Sequence, residues 1–310
     1  LDSLFLRFQD HVNSSPDTSL LIAKSALEHS LAIDNQKGIL ISHFSIGKAS
    51  YHLSTMQEAA HHLNRSQALA LELSDTTYLV LSKKWLGSIL RYRSDYAGAL
   101  EVYKEALTLA EIMNFDDEIP KITQNIAMIF LDQNQHDLAI EYYKKSIAKI
   151  KDLYTKSVCM TNLGLAYLRS QQYDLALSTF MNSLDVCQMS NNVSCEISPI
   201  ILITQTYLYQ DKNNEALSYG LATLEKRQAF VSKEDLVNIY NQIGLIYLNL
   251  EDFEPAHEYF IQCLELKDHI PAQKLPYVYA NLALSSEGLG KNKDALGHVW
   301  NFINLKDSLE

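Results

Sequence analysis

Residues 160–188 read MTNLGLAYLRSQQYDLALSTFMNSLDVCQ, and the spacing of small and large side chains in this stretch decides the fold. Gly164 and Tyr167 lie three positions apart and Ala176 and Phe180 lie four apart, so each pair shares one face of a helix. The polar run QQYD between the two pairs is typical of a turn. Because the small residues let two helix backbones approach closely and the aromatic rings fill the space beside them, the stretch predicts an antiparallel helix pair.

This pattern recurs along the chain with a period of about 40 residues. Seven alanines follow one another at intervals of 37 to 40 residues, at Ala59, Ala99, Ala139, Ala176, Ala216, Ala256 and Ala295. A small residue stands twelve positions before each of them, at Gly47, Gly87, Ala127, Gly164, Thr204, Gly244 and Ala283. A period of this length is the signature of a solenoid, in which one supersecondary unit stacks on copies of itself.

Composition narrows the classes of partner. The chain has 310 residues, 47% of them hydrophobic, and carries a net charge of −11. The acidic balance argues against nucleic acid and anionic membrane surfaces as main partners, since both require a basic footprint. No apolar run approaches the roughly 18–20 residues that span a bilayer, so we expect no direct membrane insertion.

The motif Leu-Gly-x-x-Tyr followed by Ala-x-x-x-Phe resembles the tetratricopeptide repeat. Its clearest copies lie at residues 163–180 and 243–260, and Leu86-Gly87 matches its first two residues. The resemblance implies an all-α fold, an α-solenoid of about eight tetratricopeptide-like helix pairs forming a right-handed superhelix. We expect a single domain over residues 1–310, with a degenerate first repeat at 1–38 and repeats at about 39–78, 79–118, 119–155, 156–195, 196–235, 236–274 and 275–308.

The period departs from that of the family. A typical tetratricopeptide repeat has about 34 residues, so each unit here is longer by about six. We expect the additional residues to lengthen the second helix and the loop that follows it, as at residues 185–194.

Long repeats of this kind are similar to the sensory regions of bacterial signalling proteins. The segments DNQKG at residues 34–38 and LKDSL at residues 305–309 carry that likeness. In such proteins an output domain follows the repeats, and the end of this sequence directly after a helical segment agrees with that arrangement.

In tetratricopeptide proteins the first helices of all repeats line a concave groove that binds peptides. Two positions before each of the seven small residues that precede the alanines by twelve stand Ser45, Trp85, Asn125, Asn162, Leu202, Gln242 and Asn281. Four of these seven carry an amide, which both donates and accepts and can therefore pair with a peptide backbone of any sequence. Solvation, or bonding to neighbouring helices, is the alternative role for these amides. Further residues expected to face the groove are Tyr51, Lys84, Arg91, Tyr92, Lys121, Gln124, Arg169, Gln205, Tyr209, Asn238, Asn241 and Tyr277.

The basic members of this set, Lys84, Arg91, Lys121 and Arg169, fall in neighbouring repeats. Such a stretch favours an acidic segment or a C-terminal carboxylate as ligand. The carboxylate clamp known in the family needs a Lys and an Asn one turn apart in one helix. Lys84 is followed at that spacing by Ser88, so we expect no full clamp at Lys84.

Neither catalysis nor a cofactor finds support in the sequence. No GxSxG, P-loop or HExxH motif is present, and the adjacent His61 and His62 diverge on a helix, so we expect no enzyme, no cofactor and no metal site. Cys159 and Cys263 fall at apolar helix positions and are expected to be buried thiols. Cys187 and Cys195 flank an inter-helix segment, where either two free thiols or a loop-closing disulfide fits, and the disulfide would imply an oxidising compartment.

Three functions follow from these patterns. The first is a non-catalytic protein- or peptide-binding scaffold, as the sensory or regulatory region of a bacterial signalling protein. The second is a regulator that senses a peptide pheromone or sequesters a protein. The third is a structural module forming an end-to-end homodimer through apolar residues near Trp300. We expect a cytoplasmic location, or a periplasmic one if a signal peptide has been removed.

Overall fold

The computed structural model describes residues 15–190, 193–227 and 231–308. Residues 1–14, which form part of the expected first repeat, lie outside the described residues. The chain divides into two compact units, which we call unit 1 (Leu1–Ile150) and unit 2 (Lys151–Glu310). All regular structure in the described ranges is helical, so the prediction of an all-α fold is confirmed.

Unit 1 contains seven described α-helices. They are α1 (Pro16–Ala32), α2 (Gln36–His52), α3 (Met56–Glu72), α4 (Thr76–Tyr92), α5 (Tyr96–Ile112), α6 (Ile119–Asp132) and α7 (His136–Ile147). The first helices of the repeats are α2, α4 and α6, and each packs antiparallel against the second helix that follows it.

Unit 2 contains eight described α-helices and two short 3₁₀ segments. The helices are α8 (Leu153–Arg169), α9 (Tyr173–Met189), α10 (Ile197–Tyr209), α11 (Asn213–Arg227), α12 (Lys233–Asn249), α13 (Phe253–Glu265), α14 (Leu275–Gly288) and α15 (Asn292–Asp307). The 3₁₀ segments are Val193–Glu196 and Lys267–His269. The first helices of this unit are α8, α10, α12 and α14.

The turns of unit 1 explain the 40-residue period. Helices α1 to α5 are each 17 residues long, and three residues separate each from the next. At the α1–α2 turn Asp34 has a positive φ of 50°, and the N–H of Asn35 bonds the carbonyl of Ser30 at 2.9 Å, a Schellman ending. The Asn35 side chain then accepts from the N–H of Gly38 and caps α2. One repeat is therefore two equal helix-turn units, and the expectation that the second helix and its loop hold the additional residues is wrong for these repeats.

The close contact within each pair is the one that the small residues predict. A Cβ added at Gly164 would lie 2.5 Å from Cε1 of Phe180, and one added at Gly87 would lie 2.7 Å from Cε1 of Tyr103. Ala176 and Phe180 are fully buried. Only a residue without a side chain fits beneath these rings.

The last helix pair is the exception to this burial. Ala295 is only partly buried and Val299, four residues later, is 41% exposed, whereas the equivalent residues of the other pairs are buried. No described residue of α15 is buried. The alanine row therefore marks a buried helix contact in six pairs and a partly exposed one in the seventh.

The cysteines divide into two classes. Cys187 and Cys195 form a disulfide with their Cα atoms 5.9 Å apart, which decides between the two alternatives left open by the sequence. Cys159 and Cys263 are free and buried, as expected. Burial raises the pKa of the Cys263 thiol to about 12, so this side chain is an inert apolar filler.

Candidate functional site

Successive first helices contact one another directly within each unit. In unit 1 these contacts join α2 to α4 and α4 to α6, and in unit 2 they join α8 to α10, α10 to α12 and α12 to α14. The side chains that the first helices turn away from their second helices thus form one continuous face per unit. We call this face the inner surface of that unit.

A cavity of about 520 Å³ opens on the inner surface of unit 2. It lies among α10, α12 and the segment from Ile270 to Val278. Six of the predicted groove residues line it: Gln205, Tyr209, Asn238, Asn241, Gln242 and Tyr277. Its apolar lining comes from Ile201, Leu208, Val237, Leu245, Ile270 and Val278, none of which the amide row could reveal.

Hydrogen bonds connect the amides of this cavity to Asn281, which does not line it, and to a lysine. Asn281 donates from Nδ2 to Oδ1 of Asn241 at 3.2 Å, and Lys274 donates from Nζ to Oδ1 of Asn238 at 3.3 Å. Both asparagines thus use their oxygen, and their Nδ2 donors have no partner among the described residues. Gln205 donates from Nε2 to the hydroxyl of Tyr209 at 2.9 Å. The side chains are held in place while donors remain for a bound segment.

The remaining predicted residues of unit 2 lie elsewhere. Asn162 is half-buried on α8, and Arg169 is exposed at the C-terminal end of the same helix; neither lines the cavity. Two polar lining residues were missed, Asn249 and Lys274. Asn249 stands seven positions, two helical turns, after Gln242, and this spacing could have revealed it.

On the inner surface of unit 1, Lys84 and Lys121 share one carboxylate. Lys84 bonds Oε2 of Glu118 at 2.5 Å and Lys121 bonds Oε1 of the same residue at 2.7 Å. The side chains of Glu118 and Lys84 are only 8% and 12% exposed. Burial alone would raise the pKa of Glu118, but the two ammonium groups outweigh it and hold that pKa below the usual value. The sequence did not reveal Glu118.

A tryptophan lies beside this ion cluster. The Nζ atoms of Lys84 and Lys48 lie 5.6 Å and 5.8 Å from the ring centroid of Trp85. The rings of Tyr51 and His52 meet the same indole edge-on, with centroids 5.0 Å and 5.5 Å away. Lys48 was missed by the sequence analysis, although it stands three positions after Ser45 of the predicted row and so shares its helix face.

Two of the predicted groove residues of unit 1 already have partners in the protein, and two others differ in how far they are exposed to solvent. Arg91 bonds Oδ2 of Asp132 at 2.7 Å and is thereby neutralised. The amide of Asn125 interacts with the hydroxyl of Tyr103, whose side chain is fully buried, so this amide faces a neighbouring helix. Tyr92 is 60% exposed and Gln124 is half-buried.

Two family models for the tetratricopeptide repeat match the chain. One matches residues 76–152 and 118–189, and the other matches residues 237–269. Among curated proteins, the photosystem I assembly protein Ycf3 of Prochlorococcus marinus is 33% identical over 87 residues, which are 28% of this chain and 47% of that protein. The chain thus spans about half the length of such relatives.

Solved structures give similarity over nearly the whole chain. RapI superposes with a TM-score of 0.75 at 14% identity, covering 99% of this chain and 86% of that one. Aspartyl phosphate phosphatase F from Bacillus subtilis gives 0.67 at 16% identity, covering 91% and 75%. A Rap protein complexed with competence and sporulation factor gives 0.60 at 12% identity, covering 99% and 98%. These similarities concern the fold.

In the part of the chain that the structure describes, no helix is long and apolar enough to cross a membrane. The family matches, the recurring Gly–Phe contact and the helix pairs agree with one another. Residues 76–189 and 237–269 are thus tetratricopeptide repeats, and the repeats of this chain are long.

Proposed function

We propose that this chain is a non-catalytic scaffold whose inner surface binds an extended segment of a partner protein or a peptide. The observation that carries the proposal is the amide-lined cavity of unit 2. Its volume of about 520 Å³ falls within the range of small-ligand pockets and accommodates one or two large side chains of a bound segment.

The chemistry of the cavity suits a peptide. Asn238, Asn241 and Gln242 offer amide groups that pair with backbone N–H and C=O groups whatever the peptide sequence. Tyr209 and Tyr277 are 56% and 63% exposed and present amphipathic rings at the same place. An extended segment satisfies the amides with its backbone and the apolar lining with a side chain.

More specifically, we propose that this scaffold is a sensory or regulatory region of a bacterial signalling protein. The fold similarity to a Rap protein complexed with competence and sporulation factor favours the related alternative, a regulator that senses a peptide or sequesters a protein. One Rap-like structure bears the name of a phosphatase. The absence of catalytic activity in this chain therefore remains part of the proposal, as does the absence of a nucleic-acid partner.

The disulfide bears on location. The sequence favours a cytoplasmic location, with the periplasm as alternative, and the Cys187–Cys195 pairing favours the periplasm because disulfides persist in oxidising compartments.

A second candidate function is self-association through α15. This helix exposes Leu296 (71%) and Trp300 (65%), and an apolar cavity of about 610 Å³ lies between it and α14. Exposed apolar patches of this kind mark interaction sites, which favours the end-to-end homodimer.

The binding proposal is tested by selecting peptides from a random library on the purified chain. The affinity of a selected peptide is then compared with that for the Asn241→Ala/Gln242→Ala variant. Loss of two polar contacts should weaken binding by about tenfold or more. Asn182→Ala, on the exposed face of the second helix α9, is the matched control and should leave the affinity unchanged. Equal affinity for the double variant and the parent would refute the proposal.

A further inference from the structure

The contact between α2 and α3 brings two imidazole rings together. Nδ1 of His43 on α2 lies 2.9 Å from Nδ1 of His62 on α3, and the ring centroids are 5.0 Å apart. The neighbour of His62 in the sequence, His61, diverges from it on the helix, so the second ring comes from another helix. Because imidazole is the commonest metal ligand in proteins, two ring nitrogens this close are a candidate metal site.

The geometry of the repeat produces this contact. His43 stands four positions before the small residue of its first helix, and His62 stands three positions after the alanine of its second helix. The same two positions hold Tyr240 and Tyr259 in unit 2, where the ring centroids are 6.1 Å apart. The contact is therefore a feature of the helix pair, and the pair α2–α3 is the one that has histidine at both positions.

The hydrogen bond between the rings can be exchanged for two metal–nitrogen bonds. Only one hydrogen lies between the two Nδ1 atoms, so at least one ring is neutral and offers a lone pair. The Nε2 atoms of both rings have no partner within the described residues. When both rings are neutral, the hydrogen of the donating ring can move from Nδ1 to Nε2, and both Nδ1 lone pairs become available without loss of a proton.

The distance between the nitrogens distinguishes between metals. Imidazole nitrogens bind metal ions at about 2.0–2.1 Å, so two nitrogens 2.9 Å apart subtend about 90° at a shared ion. This is the angle between neighbouring ligands of a tetragonal site, the geometry of Cu²⁺ and Ni²⁺. The tetrahedral angle of Zn²⁺ would require a separation of about 3.3 Å. Only a turn of the rings about their soft terminal torsions is needed to aim both lone pairs at the ion.

The surrounding charges add little attraction for a cation. Glu58, one turn before His62, pairs with Lys24 at 3.0 Å, and Arg65 adds a positive charge near His43. Within the described residues no three metal-ligating side chains converge, so water would fill the other ligand positions. Binding therefore depends on the two nitrogens, and Cu²⁺ binds such ligands most tightly among the divalent first-row metals.

We propose that His43 and His62 bind one Cu²⁺ ion as neighbouring ligands and thereby cross-link α2 to α3. The site revises the expectation of no metal site, which considered only histidines adjacent in one helix. It lies at the contact within a helix pair and not on the inner surface. The inference therefore goes beyond the proposed function and does not depend on it.

Titration of the untagged, metal-free chain with copper(II) chloride tests the site. We expect one Cu²⁺ to bind with a dissociation constant of about 10 µM or lower, and Zn²⁺ to bind more weakly. His43→Gln and His62→Gln should each weaken Cu²⁺ binding by more than about tenfold, since even the loss of a hydrogen bond that supports a ligand costs about 10- to 100-fold. His29→Gln, an exposed histidine of α1, is the matched control and should bind as the parent does.

Electron paramagnetic resonance of the bound Cu²⁺ gives a readout that needs no variant. Its spectrum should be tetragonal and should show coupling to two imidazole nitrogens in the parent, and this coupling should be lost in both variants. Circular dichroism of the metal-free variants checks that they remain helical. No nitrogen coupling in the parent, or equal affinity for the parent and both variants, overturns the site. A loss of the same size in His29→Gln would show adventitious surface binding only, and would overturn it as well.

Discussion

The Nδ1 atoms of His43 and His62 lie 2.9 Å apart, across the contact between α2 and α3. One ring must therefore donate and the other accept, and the bond is lost when both are protonated. Burial, with smaller contributions from His62, Arg65 and His61, lowers the pKa of His43 from 6.5 to about 4. Burial also lowers the pKa of His62.

This pair predicts a pH dependence of stability. The unfolded chain binds protons at these histidines below about pH 6.5 while the folded chain does not, so their stabilising contribution is complete above that pH and declines towards pH 4. Allowing for partial exposure, the loss is of the order of 1 kcal/mol. Urea denaturation at about pH 7 and pH 5 measures it, and His43→Gln should reduce the difference. An undiminished difference in that variant would place the dependence elsewhere.

Gly164 has no room for a side chain, and Gly297 has ample room. An added Cβ at Gly164 meets the Phe180 ring at 2.5 Å, whereas one at Gly297 meets nothing within 4 Å. We expect Gly164→Ala to lower the free energy of unfolding by about 1–3 kcal/mol through overpacking. Gly297→Ala, in an exposed helix, should raise it by up to about 1 kcal/mol. Circular dichroism during urea denaturation compares the two, and equal effects would contradict the packing account.

The Cys187–Cys195 disulfide closes a short loop with a sequence separation of 8. On the loop-entropy model such a bridge stabilises by about 2.5 kcal/mol, so a reductant should lower the free energy of unfolding by up to that amount. The Cys187→Ser/Cys195→Ser variant should be insensitive to reductant. Thiol titration of the denatured protein, made under oxidising conditions, should find only Cys159 and Cys263 free. Four titratable thiols would show that the bridge does not form.

Asn125 is expected to contribute to stability through the Tyr103 hydroxyl, which Ser88 also contacts at 2.8 Å. Asn125→Ala should cost about 1 kcal/mol, since one of two partners of a buried hydroxyl is removed. The effect should largely disappear in a Tyr103→Phe background, where the hydroxyl is absent. Additive costs in the double variant would exclude this coupling.

Self-association through α15 predicts a mass that depends on concentration. Light scattering should show dimers at high protein concentration, and Leu296→Glu should restore the monomer because it introduces a charge into the exposed apolar face. Gly297→Ala, one residue away, leaves that face apolar and is the control. A monomer at every concentration would remove this function from consideration.

The sequence predicts what depends on the period and misses what depends on contacts between repeats. Gly164, Ala176 and Phe180 recur in register, and the structure packs them as their spacing requires. Lys48 and Glu118 recur nowhere else in the pattern. They meet Lys84 and Trp85 only because successive first helices lie side by side, so no single repeat shows the cluster.

The histidines show the same limitation. The sequence shows that His61 and His62 are neighbours in one helix. It does not show that His62 contacts His43, which lies 19 positions earlier on another helix. The pairing of Cys187 with Cys195 could not be predicted for a related reason, since sequence spacing shows only that two thiols can meet. Of the amide row, Gln242 lines the cavity of unit 2, whereas Asn125 has a partner that helix spacing does not identify.

The equal helix-turn units of unit 1 constrain how such a chain can change its length in evolution. Residues with positive φ follow one another every 20 positions, at Asp34, Ser54, Ser74, Ser94, Asn114 and Asn134. A duplication or deletion of 40 residues returns every side chain to an equivalent environment. A change of 20 residues preserves the turns but moves second-helix sequence onto the inner surface. Insertions or deletions of whole repeats therefore lengthen or shorten the inner surface. A change of half a repeat removes the inner-surface side chains while every turn is preserved.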